Sequence, residues 1–411
     1  MADDDRANRI AISVGRLLTS ASNELRPSLI TAQFVSLAAA ALAFYIAGGI
    51  LLPITPQFVE ERLAGGTFEI GLVFASYAIA SLLLRPIVGW SSDRFGRKPL
   101  LIGGAVLTVL GMLLHLVAGN IVVLVVARSL LGAGEGFFLV AALAAASDLA
   151  PPERRGEALS FLSLSLYLGI AIGPLIGEAV LGDGDFMLVW LVTAGIAMVS
   201  VCLSLLVPES APMAVAGSKP RGRTPLIHPA GLFPGIVILA GMWGMAGFFA
   251  FLPGHVESIG MTGASMPLVV YALIVIGLRI VGASVPDRFG AARVGSIALA
   301  LSAIGLATMG VVQTPIGLLA GTAIFASGIA FTMPALLSLA VSRVPPEERG
   351  TVVGTAAVFL DVAFGVAPVV LGVMASGTGA GPTFLLSAAI AALGSALLVA
   401  RRNGLGQPAA A

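Results

Sequence analysis

The ten residues Gly89-Trp90-Ser91-Ser92-Asp93-Arg94-Phe95-Gly96-Arg97-Lys98 form a charged turn between two long apolar runs. A weaker copy, Pro286-Asp287-Arg288-Phe289-Gly290, stands 194 positions later, counted from Asp93 to Asp287. The same shift aligns further features with their copies: Tyr77 with Tyr271, Arg85 with Arg279, Pro151-Pro152-Glu153 with Pro345-Pro346-Glu347, Arg155-Gly156 with Arg349-Gly350, and Pro174 with Pro368. One offset without a gap indicates an internal duplication, so two halves of the same topology are predicted.

The composition predicts that both halves lie in a membrane. Hydrophobic residues make up 58% of the 411 residues and charged residues only 10%, too few charges to cover a water-exposed surface. Each crossing of a bilayer takes about 20 apolar residues as a helix, because backbone groups in lipid must be satisfied internally. Twelve runs of this kind are predicted to be helices: 32–53, 69–90, 99–118, 121–147, 157–181, 186–207, 231–252, 264–285, 294–312, 315–341, 350–375 and 380–400.

The basic residues predict the orientation, because Lys and Arg collect in cytoplasmic loops. With both termini in the cytoplasm, 18 of the 22 Lys and Arg residues fall inside and only Arg62 falls outside. The first thirty residues lack the features of a signal peptide, so the first apolar run is expected to direct insertion. The expected organisation in the inner (plasma) membrane is a cytoplasmic segment 1–30, a six-helix bundle 31–207, a linker 208–230, a second six-helix bundle 231–401 and a cytoplasmic tail 402–411.

The turn from Gly89 to Lys98 resembles the signature loop between the second and third helices of major facilitator superfamily transporters. A glycine lets two helices reverse tightly, an aspartate suits a helix N-terminus, and arginines pair with carboxylates or lipid phosphates. By this resemblance, Asp148 joins Asp93 and Arg97 in a network that closes the cytoplasmic side. The gating residues that the resemblance implies are Gly89, Asp93, Arg94, Gly96, Arg97, Asp148, Asp287 and Arg288.

Three further stretches resemble motifs of the same family. Arg128–Gly136 is similar to the fourth-helix motif with a buried arginine, and Gly48–Pro56 to the first-helix motif of drug exporters. The fifth run is similar to the motif of exporters that exchange substrate for protons, although Ser160 and Glu178 stand where glycines are usual. The residues that carry this antiporter motif are Gly169, Gly173, Pro174 and Gly177. The resemblance implies an all-α fold of twelve helices in two pseudo-symmetric six-helix bundles.

A few ionisable residues lie inside the apolar runs, where such groups are costly and usually functional. Glu135 lies near the middle of the fourth run and Asp361 near the middle of the eleventh. Low-dielectric surroundings favour a neutral carboxyl group, so either residue is a candidate to carry a coupled proton. A fixed structural hydrogen bond is the alternative for both. Arg128, on the same helix face about 10 Å from Glu135, is a candidate to hold substrate or to pair with a carboxylate.

Aromatic residues add candidates for substrate contact. By the family resemblance, Tyr45, Tyr167 and Trp243 are on helices that line the cavity, although packing is the alternative for each. Arg279 is expected to extend to the cytoplasmic interface. His115, a single histidine within its apolar run, is expected to be structural.

These features together predict a secondary active transporter, with proton-coupled efflux of a drug or metabolite by alternating access as the leading function. Two alternatives stay open. One is a proton-coupled uptake symporter for a sugar or organic acid. The other is a non-transporting membrane receptor or assembly partner, which a packed interior without a cavity would favour.

No enzyme activity, catalytic residue, cofactor or metal is expected. The sequence has neither a phosphate-binding loop that ends in Gly-Lys-Ser/Thr nor a metal-ligand cluster, and a proton gradient is therefore the expected energy source. The expected partners are a small-molecule substrate, protons and the lipid bilayer, with no nucleic acid. The chain is expected to act as a monomer.

Overall fold

Long α-helices make up the computed structural model, which describes residues 31–151, 154–182, 184–210, 228–282, 285–342, 344–345 and 348–405. In chain order they are α1 (Ala32–Leu63), α2 (Thr67–Phe95), α3 (Arg97–His115), α4 (Ile121–Leu149), α5 (Arg155–Leu181), α6 (Phe186–Leu206), α7 (Pro229–Ser258), α8 (Ser265–Gly282), α9 (Val285–Phe289), α10 (Ala291–Val311), α11 (Pro315–Val341), α12 (Arg349–Thr378) and α13 (Ala380–Leu405). All except the short α9 are long and apolar enough to cross a membrane. The twelve predicted spans are confirmed, and the predicted N-terminal segment, most of the linker and the end of the tail lie outside the described residues.

Helix α1 continues ten residues beyond its predicted end at 53. Thr31 begins the helix by accepting the N–H of Phe34 at its side-chain oxygen (3.2 Å), and Ala64 ends it in the left-handed conformation (φ 50°). Pro53 and Pro56 lie inside the helix, as membrane helices tolerate when their neighbours compensate the lost backbone hydrogen bonds. The final turns are polar, and for this reason the apolar run underestimated the length of the helix.

The helices pack as two bundles of the same design. In the first bundle α1 packs along α5 and α6, and α4 along α2 and α3. In the second bundle α7 packs along α12 and α13, and α11 along α8 and α10, so each pair has its counterpart in the duplicated half. The bundles meet where α2 contacts α12, α5 contacts α8 and α1 contacts α7.

Close approach of α1 and α5 depends on glycine. A Cβ atom at Gly173 would lie 2.6 Å from the backbone carbon of Gly49, and one at Gly169 would lie 2.5 Å from that of Tyr45. Small residues of this kind let membrane helices touch backbone to backbone. The glycines of the antiporter motif therefore have a packing function within the first bundle.

Gly49→Ala is expected to lower the melting temperature of the detergent-purified protein. A methyl group at Gly49 would collide with the backbone of Gly169, and overpacking of this kind costs about 1–3 kcal/mol. The neighbouring Gly48 faces open space, so Gly48→Ala is the matched control and should melt at or above the wild-type temperature. Equal melting temperatures for the two variants would contradict the close packing of α1 against α5.

Candidate functional site

The two ends of the paired bundles are distinguished by their loops. The end that holds Gly96 and Gly290, with the nearby Arg94, Arg97 and Arg293, is named the basic end. The end at which α1, α5 and α7 finish is named the opposite end. The contacts between the bundles differ at these two ends, and this difference defines the site.

At the opposite end, α2 of the first bundle lies directly against α12 of the second. The hydroxyl of Thr67 donates to the carbonyl oxygen of Gly372 over 2.9 Å. A Cβ atom at Gly71 would collide with the carbonyl of Pro368. The bundles are therefore in backbone contact here, which closes this side of the interface.

Glu178, near the end of α5, makes a second contact between the bundles at the opposite end. Its Oε1 accepts the backbone N–H groups of Ala264 (2.5 Å) and Ser265 (3.0 Å), where α8 begins. A carboxylate is favoured at this position because the first N–H groups of a helix lack backbone partners and carry partial positive charge. Glu178 is not among the site residues that the sequence predicts. The signal was its place where the antiporter motif usually has glycine.

At the basic end, a cleft of about 620 Å³ opens between α5 of the first bundle and α8, α9 and α11 of the second. Small-molecule sites are typically about 300–1,000 Å³. The cleft is lined by Glu157, Ser160, Phe161, Ser163, Leu164, Arg279, Ile280, Gly282, Pro286, Ala330, Phe331 and Pro334. Among the described residues the basic end is therefore not fully packed, although neither Glu135 nor Asp361 lines the cleft.

Arg279 of α8 reaches across to the first bundle. Its guanidinium carbon lies 4.9 Å from the ring centre of Tyr167 on α5, within the range of a cation–π contact. Its Nε is buried without a hydrogen-bond partner among the described residues. The residue was expected to extend to the cytoplasmic interface, but the contact that the structure shows joins the two bundles beside the cleft.

Glu135 and Arg128 both face α2 within the first bundle. The hydroxyl of Ser81 donates to Oε2 of Glu135 over 3.0 Å. The guanidinium of the buried Arg128 lies 5.1 Å and 5.3 Å from the ring centres of Phe74 and Tyr77. These contacts agree with the shared helix face that the seven-residue spacing predicts, and they lie between helices of one bundle.

Asp361 lies on α12 and is only 8% exposed. It precedes Gly365, Pro368 and Gly372 by four, seven and eleven residues, which places it on the same helix face. That face meets α2, because Gly372 accepts the hydroxyl of Thr67 and Gly365 packs against the side chain of Ile79. The sequence predicted a carboxylate at mid-membrane, and the structure adds that it lies where the two bundles meet.

Asp361 and Tyr167 occupy equivalent positions in the duplicated halves, because the 194-residue shift that aligns Pro174 with Pro368 also aligns Tyr167 with Asp361. The α5–α8 and α2–α12 contacts are equivalent as well. The two interfaces between the bundles therefore carry different chemistry at the same position, an aromatic ring in one and a carboxylate in the other.

The predicted gating motif is described in part. The burial of Gly89 and the side chains of Asp93 and Asp287 are not described, and Arg94 and Arg288 are exposed. Gly96 turns the chain between α2 and α3 at φ 92°. Nε of Arg97 lies 3.5 Å from Oδ2 of Asp148 at the end of α4.

Glu209, which follows α6, joins the same group of residues. Its carboxylate accepts the backbone N–H groups of Arg97 (2.8 Å) and Lys98 (3.2 Å). Ser210 donates its hydroxyl to Asp148 over 3.4 Å. All of these contacts join parts of the first bundle, so closure of the basic end remains a prediction for the gating motif.

The structure describes local contacts for the remaining candidates, whose contact with substrate stays a prediction. Tyr45 packs edge-on against Phe44, with ring centres 5.5 Å apart. Trp243 is half-buried, and its Nε1 is buried without a hydrogen-bond partner among the described residues. Nδ1 of His115 lies 2.7 Å from the carbonyl oxygen of Gly111 on its own helix, consistent with the structural role expected for this residue.

Twelve spans in two equivalent bundles, which among the described residues touch at one end and leave a cleft at the other, are an architecture that recurs among membrane transporters. The family model of the Major Facilitator Superfamily matches residues 37–368, with a second match over 284–408. The chain belongs to the Major Facilitator Superfamily. It is a multi-pass membrane transporter and not an enzyme.

Relatives and solved structures agree with this assignment. An uncharacterized MFS-type transporter of Salmonella typhimurium LT2 is 29% identical over 372 residues, covering 88% of this chain and 94% of that protein. The uncharacterized MFS-type transporter YhhS of Escherichia coli K12 is 26% identical over 381 residues, covering 91% and 92%. Two solved structures share the fold at 18% identity. The human organic anion transporter MFSD10 has a TM-score of 0.67, with 89% of this chain and 98% of that chain covered. A D-xylose-proton symporter has a TM-score of 0.75, with 90% and 97% covered.

Proposed function

We propose that the protein exports a small organic molecule in exchange for protons, with the basic end in the cytoplasm. The observation that carries the proposal is Asp361, a buried carboxylate on the face of α12 that meets the other bundle. A coupling group must bind a proton in one state and release it in another. A group between the bundles changes its surroundings when the bundles move, which links protonation to the choice of state.

The cleft at the basic end supports loading from the cytoplasm. It is formed by helices of both bundles, so relative motion of the bundles would alter it. The contacts of Glu178 and Thr67 hold the opposite end together in the same state. Export would then proceed by breaking these contacts and closing the cleft.

Proton-coupled uptake of an organic acid is the second candidate. It is favoured by the guanidinium of Arg279, which lies beside the cleft and has only an aromatic ring as its partner among the described residues. A proton and an organic anion carried together would partly neutralise each other.

Direction and coupling are tested together. Cells with and without the protein are first screened for differences in the accumulation of drugs and metabolites. A compound that differs is then followed in inside-out vesicles with an imposed pH gradient. Export predicts accumulation that an uncoupler abolishes. Gradient-driven loss of the compound from preloaded inside-out vesicles would support uptake, and transport indifferent to the gradient would contradict proton coupling.

The proposed orientation predicts that a fluorescent reporter fused after Arg402 will fold in the cytoplasm. Alkaline phosphatase, which is active only outside the cytoplasm, should be inactive at that position. The same enzyme inserted after Gly182, at the opposite end, should be active and serves as the control. An active phosphatase after Arg402 would contradict the orientation.

A further inference from the structure

We propose that the cleft at the basic end binds an amphipathic organic anion whose acid group pairs with Arg279. This inference names a substrate class and rests on the proposed function for its physiological meaning. Binding itself requires neither a proton gradient nor a direction of transport, so the two proposals can fail separately.

The charge of the described lining favours an anion. Among the described residues that line the cleft, the charged ones are Glu157 and Arg279. Both carboxylate oxygens of Glu157 accept hydrogen bonds of 2.8 Å from Arg154, which compensates that charge. Arg279 has the ring of Tyr167 under its guanidinium but no hydrogen-bond partner for Nε among the described residues. The uncompensated charge in the described lining is therefore positive.

The chemistry of arginine narrows the ligand further. A guanidinium is planar and permanently charged, and its N–H groups match the two oxygens of a carboxylate or phosphate. The ring of Tyr167 lies with its centre 4.9 Å from the guanidinium carbon, so a ligand approaches from the sides that the ring leaves open. An acid group in the plane of the guanidinium meets this requirement.

The rest of the lining suits an apolar body. Phe161, 42% exposed, and Phe331 line the cleft from opposite bundles. The hydroxyls of Ser160 and Ser163 donate to backbone carbonyls of their own helix over 2.9 Å and 2.7 Å. Because these hydroxyl donors are occupied, Arg279 is the described lining residue that can recognise the acid group.

The mid-membrane carboxylates do not oppose an anion in the cleft. Neither Glu135 nor Asp361 is among the described residues that line it, and Glu135 accepts the hydroxyl of Ser81 on another helix. The ligand chemistry is thus a single acid group on an apolar body. A soluble organic acid and the headgroup of an anionic lipid both provide it.

Thermal shift of the full-length protein in neutral detergent tests the site with matched probes. The probes are 2-naphthoate, biphenyl-4-carboxylate and cholate, each paired with its neutral primary amide. At least one acid is expected to raise the melting temperature where its amide does not. Arg279→Gln should raise the dissociation constant of that acid about tenfold or more, as for the loss of a charge-assisted pair. The shift in melting temperature should then require a correspondingly higher concentration of the acid. Arg293→Gln removes an exposed arginine on α10 and should leave the effect unchanged.

Two further measurements distinguish a soluble acid from an anionic lipid and control for misfolding of Arg279→Gln. Phosphatidylglycerol is compared with phosphatidylcholine, and an Arg279-dependent shift with the anionic lipid alone would identify lipid as the occupant of the same site. Ser163→Asp places an anion in the cleft without changing Arg279 and should also weaken acid binding. Shifts that persist in Arg279→Gln, or no preference for any anionic probe in the wild type, would overturn the proposal. If acid binding is intact but no gradient-driven transport occurs, the proposed function fails and the site stands.

Discussion

Asp361→Asn is expected to reduce gradient-driven transport to the level of vesicles without the protein. The substitution keeps the size and shape of a side chain that is 8% exposed, but it fixes the group in a neutral form. A carrier that cannot gain or lose a proton at this position has no means of linking the gradient to the motion of the bundles. Binding and downhill exchange of substrate should survive, since they do not depend on proton release.

Glu135→Gln is the informative comparison. Glu135 accepts a hydrogen bond from Ser81 of a neighbouring helix in the first bundle. Its surroundings are therefore expected to change less when the bundles move. Both variants are measured in vesicles with and without an imposed pH gradient, at matched amounts of folded protein. A strong defect in Asp361→Asn with a weaker one in Glu135→Gln is the expected pattern. If Asp361→Asn still concentrates substrate in proportion to the gradient, Asp361 is not the coupling group.

Glu178→Ala is expected to shift the protein towards a form that is open at the opposite end. The variant removes two hydrogen bonds, from the backbone N–H groups of Ala264 and Ser265 at the start of α8, to a carboxylate on α5. Hydrogen bonds to charged groups contribute about 1.5–3 kcal/mol. Because Glu178 is partly exposed, the lower end of that range applies, equivalent to about a tenfold change in the ratio of the two states.

Spin labels across the opposite end provide the measurement. The lone cysteine, Cys202, is replaced by serine, and labels are attached after Leu188→Cys on α6 and Met266→Cys on α8, both exposed positions. Glu178→Ala should increase the population with long label-to-label distances. Glu178→Gln keeps an acceptor oxygen, so its long-distance population should lie between those of the wild type and Glu178→Ala. Glu257→Ala, which removes an exposed carboxylate at the same end, is the control. Identical distance distributions for wild type and Glu178→Ala would show that this contact does not hold the state.

The antiporter motif predicts the residues of one helix but not the partners that they contact. The resemblance associates its glycines with exporters that exchange substrate for protons, and the structure shows Gly169 and Gly173 in backbone contact with α1. Glu178, the residue at which the motif departs from its family, contacts the other bundle instead. A motif describes the helix that contains it, but the partner of each side chain depends on which helix lies opposite.

The sequence by itself determined the twelve spans, their arrangement in two equivalent halves and the presence of a carboxylate within the fourth and the eleventh apolar runs. These follow from local physics, because the length of an apolar run and the spacing of a repeat require no knowledge of distant residues. Only the tertiary structure decided that Asp361 lies between the bundles while Glu135 lies within one, and that Arg279 meets Tyr167 beside a cleft. Contacts between residues more than fifty positions apart depend on how helices are rotated and packed. In a lipid environment the apolar pattern specifies that rotation weakly, since both the lipid face and the interior are apolar.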